Sequence, residues 1–397
     1  MLVEQQGLDR SPGLSQPLGT DGAVAGLSGG LSCSKANTVS NAFRAAALLL
    51  AALAPASAFA QSASRERVER LDEVVVVGRF SGPPLWKVSK DGHALWILPL
   101  IDLYPKKMEW DSARVEKLIG ESQEFISQPA VANGFATANP FLLARALRLY
   151  NMMVHLPDKK TLADVLPPDL HQRFSILKAR HFPKNSGIER LTVSAATNSM
   201  QQEILEQENL GPLRMDIAKW LKGNKTILRT DTGVGTTHAI TGKELKALTA
   251  AMKEVTATPE YAKAEVACFE DILAYFEKDL EPVKRRANAW AKGRVDDLVD
   301  PTPPFGELSD CMDPISASAD LPAMHKLVKD YPGLVVSAPD RVDMRKRSTQ
   351  KWLDAAENAL SRNATTFSRL AVNDIVDKAG LVAQLEAKGY KLEVFSE

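Results

Sequence analysis

Apolar and polar positions along this chain fall into three regimes: short strand-like runs around residue 85, helical spacing through the middle, and strand-helix-strand at the end. Leu85 to Val88 and Ala94 to Leu98 are β-favouring runs separated by Lys90-Asp91-Gly92, which predicts a β-hairpin. Asp111 precedes Val115, Leu118 and Ile119, the spacing of one apolar helix face behind an Asp cap, so a helix is expected to about Gly120. Glu124-Phe125-Ile126 then reads as a short strand. From Pro140 to about Asn224 apolar residues recur at helical spacing, interrupted at Pro157, Pro167-Pro168, Pro183 and Pro212, and Lys225 to Arg229 reads as a strand. Thr241-Gly-Lys-Glu244 is a capping box that opens a helix over Leu245, Leu248 and Met252, and Glu260 to Lys278 is long and amphipathic. Near the end, Trp352, Ala356 and Leu360 form a helical stripe and Thr365 to Val372 a strand. Leu381 to Ala387 follows as a helix stopped by Gly389, and Tyr390 to Phe395 as a last strand.

Both ends are therefore strand-rich, and the expected fold is α/β: a mixed sheet built from N- and C-terminal strands, with a large helical insertion at about 140–330 packed on it as a cap. This domain is expected over 85–397. Ahead of it, 61–84 reads as a linker with a short strand at Val74 to Val77 and a turn at Gly82-Pro83-Pro84.

The first 60 residues carry a different pattern. Arg44 stands before the unbroken apolar run Ala45 to Leu53, and Pro55 and Ala58-Phe59-Ala60 follow, with small residues where a signal peptidase reads. This is the layout of a secretory signal over 40–60, with the working chain starting at Gln61. The run is shorter than the roughly 20 residues that cross a bilayer, so no transmembrane anchor is expected after cleavage. The Gly-, Ser- and Gln-rich residues before it read as a spurious extension, with Val39 the candidate start. The expected location is a bacterial periplasm or the secreted fraction.

Charge narrows the partners. The chain has 49 basic and 49 acidic residues, and the signal region removes three of each, so the remainder is formally neutral. Nothing here forms a basic field for phosphate backbones, and nucleic acid is excluded as a partner. Of the three cysteines, Cys33 precedes the cleavage point, which leaves Cys268 and Cys311. In an oxidising compartment such a pair suggests one disulfide, worth about 3 to 4.5 kcal/mol by loop closure; the alternative is two buried thiols. The six histidines show no i, i+4 pair, and neither a Gly-x-Ser-x-Gly elbow nor a phosphate-cradling Gly-rich loop is present. Thr232-Gly-Val-Gly-Thr236 is expected to be a turn.

One set of segments carries more. Leu85-Trp-Lys-Val-Ser, Ala94-Leu-Trp-Ile-Leu, Pro105-Lys-Lys-Met-Glu-Trp110 and Val115-Glu-Lys-Leu-Ile-Gly-Glu-Ser-Gln123 stand in order, followed by Ala289-Trp-Ala-Lys-Gly293, Trp352-Leu-Asp-Ala-Ala-Glu357, Arg362-Asn363, Thr366-Phe367 and Gly380 to Tyr390. Together they resemble the TraB/PrgY/GumN family over nearly the whole mature chain. The resemblance implies a Gly-Thr-x-His motif after the second strand and a Gly-x-x-His motif before the last helix. Relatives with both are thought to be metal-dependent peptidases, whose two imidazoles and a carboxylate would hold a divalent ion with a water position open. Here the motifs read Pro99-Leu-Ile-Asp102 and Ala371-Val-Asn-Asp374, and the acidic position after the first helix falls at about Gln128. Aspartate replaces both histidines.

Two expectations follow. In one, the site is inactive and the fold persists as a binding or structural module for an envelope protein, peptide or polysaccharide component, with no cofactor. Asp374 is then a helix cap and Asp102 a loop carboxylate. In the other, Asp102 and Asp374 hold a harder cation such as Mn²⁺ and the chain is a divergent metal-dependent hydrolase. By the same resemblance Arg362 and Asn363 stand near the site, where they orient a substrate carboxylate or else simply close the preceding helix.

Overall fold

The computed structural model describes residues 82–298 and 318–396, apart from Arg214, Asp216 and Lys225. The signal region, the Val74 to Val77 strand and Cys311 lie outside them. Cys268 is buried on α8 (Pro259–Glu277).

The hairpin forms as the sequence requires. β1 (Leu85–Lys90) pairs antiparallel with β2 (His93–Leu100), and Asp91 and Gly92 both take positive φ (51° and 86°), the backbone of a turn whose twist matches its strands. β9 (Thr365–Ala371) lies parallel to β2, and β4 (Glu124–Ile126) parallel to β9. β10 (Lys391–Phe395) returns antiparallel along β1, giving the order β10-β1-β2-β9-β4-β7 in one mixed sheet. The fold is α/β.

The last strand of that order comes from the middle of the chain. β7 is Leu228–Thr230, slightly later than the run expected at Lys225 to Arg229, and it extends the sheet parallel to β4. Nor is Thr232 to Thr236 simply a turn. Val234 opens β8 (Val234–Ala239), which pairs in parallel with β5 (Val131–Ala136). The two backbones approach so closely that a Cβ on Gly235 would stand 1.6 Å from the carbonyl oxygen of Ala132, so glycine is the residue that permits the pairing. Asn133-Gly134 in the middle of β5 reads as a turn signal, which hid that strand from periodicity.

Helices fill the rest. α1 (Ala113–Glu121) buries Val115 and Ile119, as the spacing demands, although Asp111 caps it from one position outside by accepting the Ala113 N–H at 2.9 Å. α2 (Pro140–Val154), α3 (Leu162–Val165), α4 (Pro168–His181), α5 (Val193–Gln207) and α6 (Ile217–Gly223) are delimited by the prolines noted above. α7 (Gly242–Val255) begins with the capping box, Thr241 Oγ1 accepting from Glu244 N and Glu244 from Thr241 N. α9 (Glu281–Ala291), α10 (Pro322–Asp330), α11 (Ala338–Leu360), α12 (Val372–Val376) and α13 (Leu381–Ala387) complete the described set.

Three apolar clusters result. One joins the sheet to α1, α9, α11 and α13; a second unites α4, α5 and α8; a third gathers α2, α7 and α10. Trp352 of α11 is fully buried and donates its indole N–H to Ser368 Oγ at 3.1 Å, while Ser368 donates to the Ile126 carbonyl at 2.9 Å. Since side chains alternate along a strand, Thr366 and Ser368 face α11, whereas Phe367 and Arg369 point the other way. Among the described residues no helix is long and apolar enough to cross a membrane.

Candidate functional site

β2, β9, β4 and β7 run parallel, and ligands of open α/β sheets sit beyond the carboxyl ends of such strands. β2 and β9 are in register with Leu100 beside Ala371, so Asp102 and Asp374 both leave the sheet at this edge, two and three residues past neighbouring strand ends. Gln128 leaves it beside them, two residues past Ile126, which pairs with Ser368. Both motif positions and the position of the missing acid therefore share one edge.

Their surroundings differ. Asp102 is exposed in the loop between β2 and β3 (Tyr104–Pro105), as a loop carboxylate should be. Tyr104 beside it is buried, accepts the Ile101 N–H at 2.8 Å and packs edge-on against Trp290, whose indole donates to the Pro99 carbonyl at 2.7 Å. Burial raises the Tyr104 phenol well above its ordinary value, opposed by its hydrogen bond to Ile101 and by Arg286, so it stays protonated.

Asp374 is half-buried at the third position of α12, whose N-cap is Ala371, and α13 starts at Gly380 without a side-chain cap. It therefore does not take the capping role expected of it. Burial raises its carboxyl, Arg345 of α11 pulls it back and Asp377 adds to the rise. A shared divalent cation calls for several ligands on one ion. Among the described residues no three His, Cys, Asp or Glu side chains converge into a metal-holding set. Two carboxylates and an amide, with no third His, Cys, Asp or Glu gathered with them among the described residues, do not fit the ion that the resemblance implies.

Arg362 and Asn363 are elsewhere. They precede β9, whereas Asp374 follows it, so a strand of about 20 Å separates them from the motif edge. Their backbone N–H groups close α11 onto the Ala359 carbonyl at 3.2 and 2.8 Å. Their side chains meet Glu124, 1% exposed on β4: Arg362 Nη2 donates to Glu124 Oε2 at 3.0 Å and Asn363 Nδ2 to the same oxygen at 2.8 Å. Thr230 Oγ1 donates to Glu124 Oε1, and His93 Nδ1 donates to the Asn363 carbonyl at 2.7 Å. These residues tie β2, β4, β7 and β9 together at the amino edge. Glu124 escaped sequence reading because a carboxylate within a three-residue strand gives no periodic signal.

A groove of about 410 Å³ runs between α11 and α13, lined in part by Arg345, Lys346, Gln350, Leu353 and Gln384. Arg345 is the same residue that acts on Asp374, so the groove adjoins the second motif position.

Comparison with known proteins gives one positive result: the family model described as TraB/PrgY/gumN matches residues 84–394. No curated protein and no solved structure matches the chain significantly. The match begins at the residue before β1 and ends inside β10, so it takes in the whole mixed sheet and both altered motifs, and the chain belongs to the TraB/PrgY/gumN family.

Proposed function

We propose that this chain is an exported member of its family that has given up metal-dependent peptide cleavage and serves as a binding module of the cell envelope. The observation that carries this is the donor set at the carboxyl edge. Asp102 and Asp374 stand where histidines are expected and Gln128 where an acid is expected, and the two carboxylates have different neighbours. A catalytic metal needs several ligands on one ion and an open position for water. Carboxylates also favour hard cations that demand six or more oxygens, and among the described residues no three His, Cys, Asp or Glu side chains gather to begin such a set. The export half of the reading rests on the signal layout ending at Ala60 and on the absence, among the described residues, of a membrane-spanning helix.

Turnover by the purified chain tests the catalytic half. With Mn²⁺ or Co²⁺ added, the expected result is no peptide cleavage above that of a Asp102→Ala/Asp374→Ala double variant. Cleavage by the parent chain that this variant abolishes overturns the reading in favour of a divergent hydrolase.

A further inference from the structure

α2 carries three of the large apolar side chains exposed among the described residues, whereas no other helix carries more than one. The helix buries Leu149 and Met153 in the cluster it shares with α7, yet Phe141 is 80% exposed, Leu143 50% and Leu147 43%. With Ala144, also exposed, they span about 160° of the helix circumference at roughly 100° per residue. Arg145 and Arg148 continue the row of Phe141 at i, i+4 and i+7, and both are exposed. No Asp or Glu occurs anywhere from Ser127 to Pro157, in a chain whose charges otherwise balance at 49 of each sign. Glu244, at the start of the adjoining α7, already accepts from Thr241 N and His238 Nε2. The outward face of α2 is therefore apolar along its first two turns and purely basic at its flank.

We propose that α2 lies in the surface of an anionic phospholipid membrane, with Phe141, Leu143 and Leu147 entering the boundary between headgroups and acyl chains and Arg145 and Arg148 reaching lipid phosphates. Shape and charge select this occupant. An apolar arc this wide suits a flat surface better than the narrow seam that a single partner helix fills. Pairing with α2 of a second copy is disfavoured, because it would gather two guanidiniums from each chain with no acid between them. Arginine beside an apolar face rests its stem on the acyl boundary and carries its charge to the phosphates, whose sign is the one this helix lacks. The proposal goes beyond the reading of the carboxyl edge and shares with it only the placement of the chain in the cell envelope.

Flotation of the exported chain with lipid vesicles in EDTA tests it, using phosphatidylglycerol mixed with phosphatidylcholine against phosphatidylcholine alone. The chain is expected to float with the mixed vesicles, to bind the neutral ones far more weakly, and to be released as salt is raised. Phe141→Gln/Leu147→Gln should weaken binding to the mixed vesicles by about tenfold or more while leaving Tm unchanged, since both side chains are exposed. Arg145→Gln/Arg148→Gln should also weaken it by about tenfold or more, and serves if the first variant fails to fold. No flotation of the parent, equal binding to both kinds of vesicle, or binding retained in both variants overturns the proposal. A dimer in lipid-free sedimentation that Phe141→Gln/Leu147→Gln dissociates assigns the face to a second copy and overturns it too. EDTA keeps metal out of the assay, so vesicle binding and peptide turnover with added Mn²⁺ can each fail without the other.

Discussion

Glu265 shows how one residue can carry a pH dependence without belonging to the site. It accepts from Ser194 Oγ at 2.6 Å, Ser194 N at 3.2 Å and Tyr261 Oη at 3.3 Å, linking the first turn of α5 to α8. Burial nonetheless raises its carboxyl above the ordinary glutamate range, outweighing those bonds. A raised acid binds its proton more tightly in the folded than in the unfolded chain. The fold is therefore favoured below the unfolded value and loses that contribution as pH climbs toward the folded one. Glu265→Gln is expected to flatten this fall, so the difference between the unfolding free energies of variant and parent should grow from about pH 4 upward and then level off. A constant difference across that range would contradict the account. At this scale the sequence was informative about position: the segment order puts Asp102 and Asp374 just past the ends of two strands, where the fold has them. The burial of Glu265 was not visible, because it depends on which helices the fold packs together.

Among elements, the amino edge of the sheet is held by a single buried carboxylate. Glu124 accepts from Thr230 of β7 and from Arg362 and Asn363 after α11, and Asn363 Nδ2 also donates to Thr366 Oγ1 at the start of β9. Glu124→Ala leaves these donors without their charged acceptor and should cost on the order of 3 kcal/mol in urea unfolding. Arg362→Ala, at the exposed end of the cluster, should cost only about 1 kcal/mol because Asn363 and Thr230 still answer the carboxylate. Equal losses for the two changes would contradict this assignment. The hairpin, α11, β9, α13 and β10 were all legible, since each has an apolar period and a Gly or cap at its end. β7 was legible, placed a little early, whereas β5 and β8 were obscured: both bear a glycine, and they are fixed by each other across roughly 100 residues rather than by local pattern.

For the whole molecule, the topology explains why changes at two separated points of the sequence act on one site. Parallel pairing of β2 and β9 brings Pro99 to Asp102 and Ala371 to Asp374 to the same edge across a gap of about 270 residues in the chain, with Gln128 delivered by β4. Aspartate at both positions where the resemblance implies histidine would alter the donor set at a single place, while the sheet core of Leu95, Ile97, Phe367 and Leu370 is buried as the fold requires. That combination of intact fold and altered donors is the basis for reading this chain as a binding module. The proposal of export rests on the signal pattern alone, in residues outside those described. Elemental analysis of the chain purified from a periplasmic fraction, without chelator and after equilibration with Mn²⁺, Zn²⁺ and Co²⁺, tests the central claim most directly. The account predicts well below one equivalent of any of these metals, unchanged in Asp102→Ala and Asp374→Ala; one tightly held equivalent that either substitution removes would contradict it.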